Sequence, residues 1–327
     1  MTSPALKVEG ITKAFGNHVA VDDISFEVPR GVVYGILGPN GAGKSTTLRM
    51  INDIIAPDKG KVTVLDGLPA GTAAAKHIGY LPEERGLYPK MKVGEVIEFM
   101  GELRGLSRAE ARKRGGAWLE RLGLGKWTKN KVMDLSKGMQ QKVQFAAALI
   151  HEPDIVILDE PWSGLDPVNA DVLRSTVEEI RDAGRTVLFS THQMEQAEKV
   201  VDALIIIARG KKVLDGKLRD IKRTWQGAGW IALGYAEDAA KDAAKAVLDD
   251  KALVAESRVP DQHHEDDIEV RAAEGVSTQK LLAALVGAGV ALRKFEIMVP
   301  SLHQIFVEKV GPEAAVADRH AADEEKN

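Results

Sequence analysis

The run Val32-Val33-Tyr34-Gly35-Ile36-Leu37 passes without a break into Gly38-Pro39-Asn40-Gly41-Ala42-Gly43-Lys44-Ser45. An apolar strand feeding a turn with the spacing G-x-x-x-x-G-K-[ST] leaves few folds open. The strand must be buried, a helix must follow the turn, and small residues let successive backbone N–H groups face an anion. A phosphate chain is the expected anion. Gly38, Pro39, Asn40, Gly41, Ala42 and Gly43 would cradle it, Lys44 would reach the β- and γ-phosphates, the Ser45 hydroxyl would ligate Mg²⁺, and Thr46 would extend the contact into the helix.

The 327 residues allow two domains, and 44% hydrophobic with 28% charged residues is ordinary for a soluble globular chain. Cysteine is absent, which excludes disulfides, thiolate metal sites and cysteine nucleophiles. The longest apolar stretches, such as residues 281–292, fall short of the roughly 20 residues a spanning helix needs. The N-terminus lacks the pattern of an export signal, so a cytoplasmic protein is expected. A net charge of −4 argues against a general affinity for nucleic acid, and no nucleic-acid partner is expected.

Alternating strand and helix patterns run through the first part of the chain, the arrangement of a mainly parallel sheet covered by helices. Strands are expected over 19–28, 32–37, 62–65, 77–81, 155–158, 186–190 and 203–208, and helices over 44–51, 93–103, 107–122, 137–150, 168–183 and 194–201. Ser107-Arg108-Ala109-Glu110 reads as a capping box, and residues 83–135 as a helical lobe beside the nucleotide core. From Trp230 the order becomes βαββαβ, the split ferredoxin-like motif, after a linker at 224–229. Residues 311–327 are alanine-rich, charged and without apolar periodicity, and are expected to be a disordered tail.

A second apolar run, Ile155-Val156-Ile157-Leu158, ends in Asp159-Glu160. Asp159 would hold the Mg²⁺ shell, and Glu160 would accept from or orient an attacking water. Upstream stands Leu135-Ser136-Lys137-Gly138-Met139-Gln140-Gln141, and downstream Glu160-Pro161-Trp162-Ser163-Gly164-Leu165-Asp166-Pro167 and Ser190-Thr191-His192. In that order these segments resemble the phosphate loop, signature, Walker B, D-loop and switch histidine of the ATP-binding cassette (ABC) ATPases. The resemblance covers roughly residues 6–220.

The resemblance implies an α/β fold: a P-loop ABC ATPase domain with a helical subdomain over 1–224, then a small α+β ferredoxin-like accessory domain over 225–310. It implies catalytic roles for Glu160, His192 and Lys44, and a place for Phe15 against adenine. It also implies that two cassettes meet head to tail as a homodimer or heterodimer, so that Ser136 and Gly138 contact the nucleotide held by the partner. The signature departs from the commonest form at Lys137 and Met139. The second departure is Glu83, in Tyr80-Leu81-Pro82-Glu83, where the family usually has a glutamine. A glutamate keeps metal-ligating capacity but donates no hydrogen bond when ionised.

By the same resemblance, residues 87–106 would form a groove for a helix of an integral-membrane permease subunit. The ending Val299-Pro300-Ser301-Leu302-His303-Gln304-Ile305-Phe306 is similar to that of sodium- and drug-efflux exporter subunits. The expected function is therefore ATP hydrolysis, with ATP and Mg²⁺, that energises a separate exporter permease from the inner face of the membrane. A soluble translation- or repair-associated cassette ATPase, an importer subunit, or a ligand-sensing role for the accessory domain are the alternatives. His263-His264 among acidic neighbours reads as a solvated hairpin loop, because no helical or strand spacing orients them as ligands.

Overall fold

The computed structural model describes residues 3–84, 86–225, 229–237, 239–259 and 267–311. They form two compact units, one built by the chain up to Leu218 and taken up again from Phe306, the other by residues 219–305.

In the first unit, six strands make the central sheet in the order Lys211–Lys217, Ala203–Ala208, Val33–Leu37, Thr186–Thr191, Ile155–Asp159 and Ile78–Leu81. All neighbours are parallel except the first pair. Four inner strands are buried along their whole length, which is why they read as unbroken apolar runs. The edge strand Lys211–Lys217 is polar and carries Gly216, so no apolar run announces it. This order sets the ends of Val33–Leu37, Ile155–Asp159 and Thr186–Thr191 side by side, at the carboxyl edge where such sheets bind ligands.

The strand expected over 19–28 forms as His18–Val28, but in a separate antiparallel sheet of order His18–Val28, Leu6–Phe15, Lys59–Val64, Leu68–Pro69. Its partner Leu6–Phe15 breaks register three times against it, and that irregular burial hides it from a period-two reading. Leu6, Val8, Val21, Ile24 and Phe26 from this sheet join Tyr34, Leu48, Met50, Ile51 and Ile157 in one core. Each such fully buried aliphatic or aromatic side chain contributes about 1.5–3 kcal/mol of burial free energy. The helical lobe consists of Val93–Leu103, Arg108–Arg121 and Lys137–Leu149. Ser107 caps the second, its Oγ accepting from the Glu110 N–H at 3.2 Å.

The second unit carries the expected βαββαβ order: Trp230–Tyr235, Ala239–Asp249, Val254–Arg258, Asp267–Ala272, Thr278–Gly287 and Leu292–Ile297. Its antiparallel sheet runs Val254–Arg258, Asp267–Ala272, Trp230–Tyr235, Leu292–Ile297. Ala240, Ala244, Leu281 and Leu285 seal one face onto Ile231, Leu233 and Val270. Ser301 and Gln304 open the helix Leu302–Val310 with a reciprocal capping box, at 3.2 and 2.9 Å. The tail expected over 311–327 and the His263-His264 hairpin lie outside the described residues, apart from Gly311.

Candidate active site

The turn after Val33–Leu37 wraps a pocket of about 430 Å³ lined by residues 40–46, Phe15, His18, Ala20, Glu83 and Glu160. Two glycines make the wrap possible. Gly38 has φ +155° and a Cβ there would lie 2.0 Å from the Ile207 carbonyl oxygen. Gly43 has φ +102° and a Cβ there would lie 2.4 Å from the Ala20 carbonyl oxygen. The helix Lys44–Ile51 starts directly behind, so its positive end and free N–H groups face the pocket.

Lys44 is buried, and its Nζ donates to the carbonyls of Gly38 at 2.9 Å and Pro39 at 3.1 Å and stands 3.5 Å from Glu160. Asp159 and Glu160 end the neighbouring strand. The Asp159 Oδ1 accepts from Ser45 Oγ at 3.1 Å and from Ser190 Oγ, while its Oδ2 is buried with no hydrogen-bond partner among the described residues. Burial pushes the Asp159 carboxyl up, the Ser190 and Ser45 hydrogen bonds oppose this, and the Glu160 charge adds to it.

Glu160 adopts φ +46°, the left-handed region that non-glycine residues rarely occupy. Its N–H donates to the Ser190 carbonyl at 3.1 Å, with Ser190 Oγ at 3.2 Å, and the turn drives the side chain inward. There Oε1 takes the His192 N–H at 3.1 Å and His192 Nδ1 at 3.0 Å, and Oε2 takes Thr191 Oγ1 at 2.9 Å. An ionised carboxylate only accepts, so Nδ1 carries the hydrogen of that bond. Burial alone would push Glu160 up, but the His192 hydrogen bond, the Lys44 and His192 charges and the Thr191 hydrogen bond together hold it below the usual carboxylate range.

Glu83 shares the pocket, its carboxyl raised by burial first and then by the charges of Asp159 and Glu160. Three acids thus lie together with Lys44 and Arg49 nearby, and one buried carboxylate oxygen, Asp159 Oδ2, has no hydrogen-bond partner among the described residues. This donor set fits a hard divalent cation held partly by the protein.

Phe15 is 51% exposed and faces the pocket, with Lys13 Nζ 5.8 Å from its ring, so it is no core residue. Ser136 caps the helix Lys137–Leu149, its Oγ accepting from Met139 N–H at 3.3 Å, and Gly138 faces Leu165 and Asn169. Neither lines the phosphate-loop pocket of its own chain. Ser190, Thr191, His18 and Ala20 were given no role by the sequence. For Ser190 and Thr191 the available signal was their position directly before His192.

ABC transporter ATP-binding protein YhaQ of Bacillus subtilis is 40% identical to this chain over 307 residues, which is 94% of this chain and 98% of that protein. The chain belongs to the ABC transporter ATP-binding proteins. Residues 21–163 match the family described as ABC transporter, and residues 216–310 the family described as ATP-binding protein DrrA1-3-like, C-terminal domain. Linearmycin resistance ATP-binding protein LnrL, also of B. subtilis, is 35% identical over 94% of this chain and 98% of its own length. A solved structure described as the ATP binding subunit of an ABC transporter aligns with a TM-score of 0.62 and 31% identity, covering 67% of this chain and 92% of the other. As an ABC transporter ATP-binding protein the chain binds ATP and hydrolyses it in support of transport. Among the described residues no helix is long and apolar enough to cross a membrane.

Proposed function

We propose that this chain is the Mg²⁺-dependent ATPase subunit of an exporter, working as a dimer on a separate integral-membrane permease from the cytoplasmic face. The observation that carries the reading is the convergence of Lys44, Asp159, Glu160 and His192 beside one phosphate-sized loop.

The loop N–H groups and the N-terminus of Lys44–Ile51 bind the phosphates, and Phe15 offers a flat face to the base. Lys44 exchanges the Gly38 and Pro39 carbonyls for phosphate oxygens. Ser45, Asp159 and Glu83 are the residues that would hold Mg²⁺, which when bound neutralises charge on the phosphates. Glu160, kept ionised by its surroundings, accepts the proton of a water whose oxygen bonds to the γ-phosphorus as the bond to the bridging oxygen breaks. Thr191 and His192 hold that carboxylate in place.

Ser136 and Gly138 do not line the phosphate-loop pocket of their own chain, which supports their use against the nucleotide of a second cassette. Export is supported by the relatives named Nod factor export ATP-binding protein I and by the relative named for linearmycin resistance. A groove of about 400 Å³ lined by Tyr80, Leu87, Met100, Leu103, Arg104 and Gln144 supports docking of a permease helix. The test is capture of the Glu160→Gln protein with ATP from its native membranes, followed by mass spectrometry. A multi-span membrane protein is expected, and soluble partners alone would contradict the transport reading.

A further inference from the structure

The helical lobe carries charge of the opposite sign to the chain it belongs to. Residues 86–142 hold 13 basic and 6 acidic side chains, in a protein whose net charge is −4. An asymmetry of this kind within one chain points to a face that meets an anionic partner.

Part of that charge is gathered at one place. The segment leading into the helix Val93–Leu103 and the segment following the helix Arg108–Arg121 are stitched together by backbone hydrogen bonds. Val93 N–H donates to the Asn130 carbonyl at 3.0 Å, Gly94 N–H to Thr128 at 2.9 Å, and Val132 and Met133 N–H to Met91 and Pro89, each at 3.0 Å. Lys92 and Lys131 stand opposite each other in an antiparallel bridge, with Lys90 and Lys129 two residues away along each segment and Lys126 beyond. All five are exposed. Like charges set directly across a bridge oppose folding, so the fold itself does not call for this pair.

Three acids lie on the same segments. Lys92 is paired with Glu95 at 3.4 Å, yet Glu95 also accepts from the Lys92 N–H at 3.2 Å, as Asp134 does from the Lys131 N–H at 3.1 Å, and Glu120 lies against Gly125. Two of the three carboxylates are thus turned onto the backbone as caps, and the lysines outnumber them. Among the lysines stand two large side chains, Tyr88 and Met133, 47% and 59% exposed. The Tyr88 ring is held edge-on to Phe99 at 5.6 Å.

We propose that this face of the helical lobe binds the anionic surface of a lipid bilayer. The lysines enter the headgroup layer, while Tyr88 and Met133 reach the boundary with the acyl chains, where an amphipathic ring and a flexible thioether are both at home. A nucleic acid would satisfy the lysines but would give Met133 no apolar layer to enter. The inference rests on the transport reading for its setting, since Leu87, next to Tyr88, lines the groove assigned to the permease. The binding itself needs no permease.

The experiment is co-sedimentation of the full chain with vesicles of equal parts phosphatidylglycerol and phosphatidylcholine, beside vesicles of phosphatidylcholine alone. Saturable binding to the anionic vesicles is expected, with binding to the neutral ones about tenfold weaker or less, and about 0.5 M salt should release it. Each lysine at such a surface raises affinity roughly fivefold. The combined variant Lys90→Gln, Lys92→Gln, Lys129→Gln and Lys131→Gln should therefore weaken binding by about a hundredfold or more. Met133→Ser should weaken it severalfold, and Lys59→Gln with Lys61→Gln, outside the lobe, should leave it within about twofold. ATP hydrolysis in solution by all three variants, which reports the folded state, stays at the wild-type rate. Equal binding to both kinds of vesicle, binding that survives the four-lysine change, an equal loss in the Lys59 and Lys61 variant, or no binding would each overturn the proposal. Tighter retention by duplex DNA than by anionic vesicles at the same salt would also overturn it. Because the vesicles hold no protein, failure to capture a permease with Glu160→Gln would leave this result standing, and the two readings fail separately.

Discussion

Glu160 is the residue on which the site turns. Its left-handed backbone costs free energy, on the order of 1–3 kcal/mol for such a conformation, and the strand pairing around it holds it there. Four donors then surround its carboxylate, and Thr191 is the one with no other assigned part in the chemistry. Thr191→Val keeps the shape and removes the hydroxyl; a hydrogen bond to a buried charge contributes about 1.5–3 kcal/mol, so kcat should fall roughly tenfold to a hundredfold with little change in KM. Steady-state phosphate release measures the split, and a change confined to KM would show that Thr191 acts on nucleotide binding instead. The phosphate loop, Asp159 and Glu160 were legible in the sequence because their chemistry is contiguous. The contributions of Ser190 and Thr191 were not, since they lie 31 residues from the acids they serve and depend on which strands pair. Glu83 was legible as a departure, and the structure adds that burial and two neighbouring carboxylates raise it.

At the scale of elements, the helix Lys137–Leu149 joins the signature to the sheet, and His151 follows its end. The His151 Nε2 lies 3.2 Å from the Ile78 carbonyl, and its Nδ1 is buried without a hydrogen-bond partner among the described residues. Burial first, then the charges of Arg104 and Arg185, depress its pKa to about 4 from 6.5. The unfolded chain therefore binds this proton more readily than the folded one. The stability tied to the neutral ring is fully present above 6.5 and is lost as the pH falls toward 4. Discounted for partial exposure, this is on the order of 1–2 kcal/mol. Melting temperature measured across that window should fall less steeply for His151→Leu than for wild type. Equal slopes would show that other groups set the acid limb. The βαββαβ order of the second unit was legible because Asp267–Ala272 alternates charged and apolar residues and the helices Ala239–Asp249 and Thr278–Gly287 each carry an apolar face between the strands. The strand Leu6–Phe15 was not, because its register breaks spoil the alternation that marks a half-buried strand.

At the scale of the whole molecule, the phosphate-loop pocket and the groove proposed for the permease share no lining residue. Leu103 is 64% exposed in that groove and touches nothing in the phosphate-loop pocket. Leu103→Asp should leave ATP hydrolysis by the isolated chain unchanged, and should weaken permease association by about a hundredfold, because docking would bury an unpaired charge. Co-purification with the permease and ATP-driven flux in vesicles are the readouts, and undiminished flux would place the coupling surface elsewhere. Whether Glu160 accepts the proton of the attacking water is decided by phosphate release and ATP binding measured on Glu160→Gln. Glu160→Gln should retain ATP affinity with hydrolysis reduced by about a hundredfold or more; hydrolysis at the wild-type rate would show that another group takes the proton.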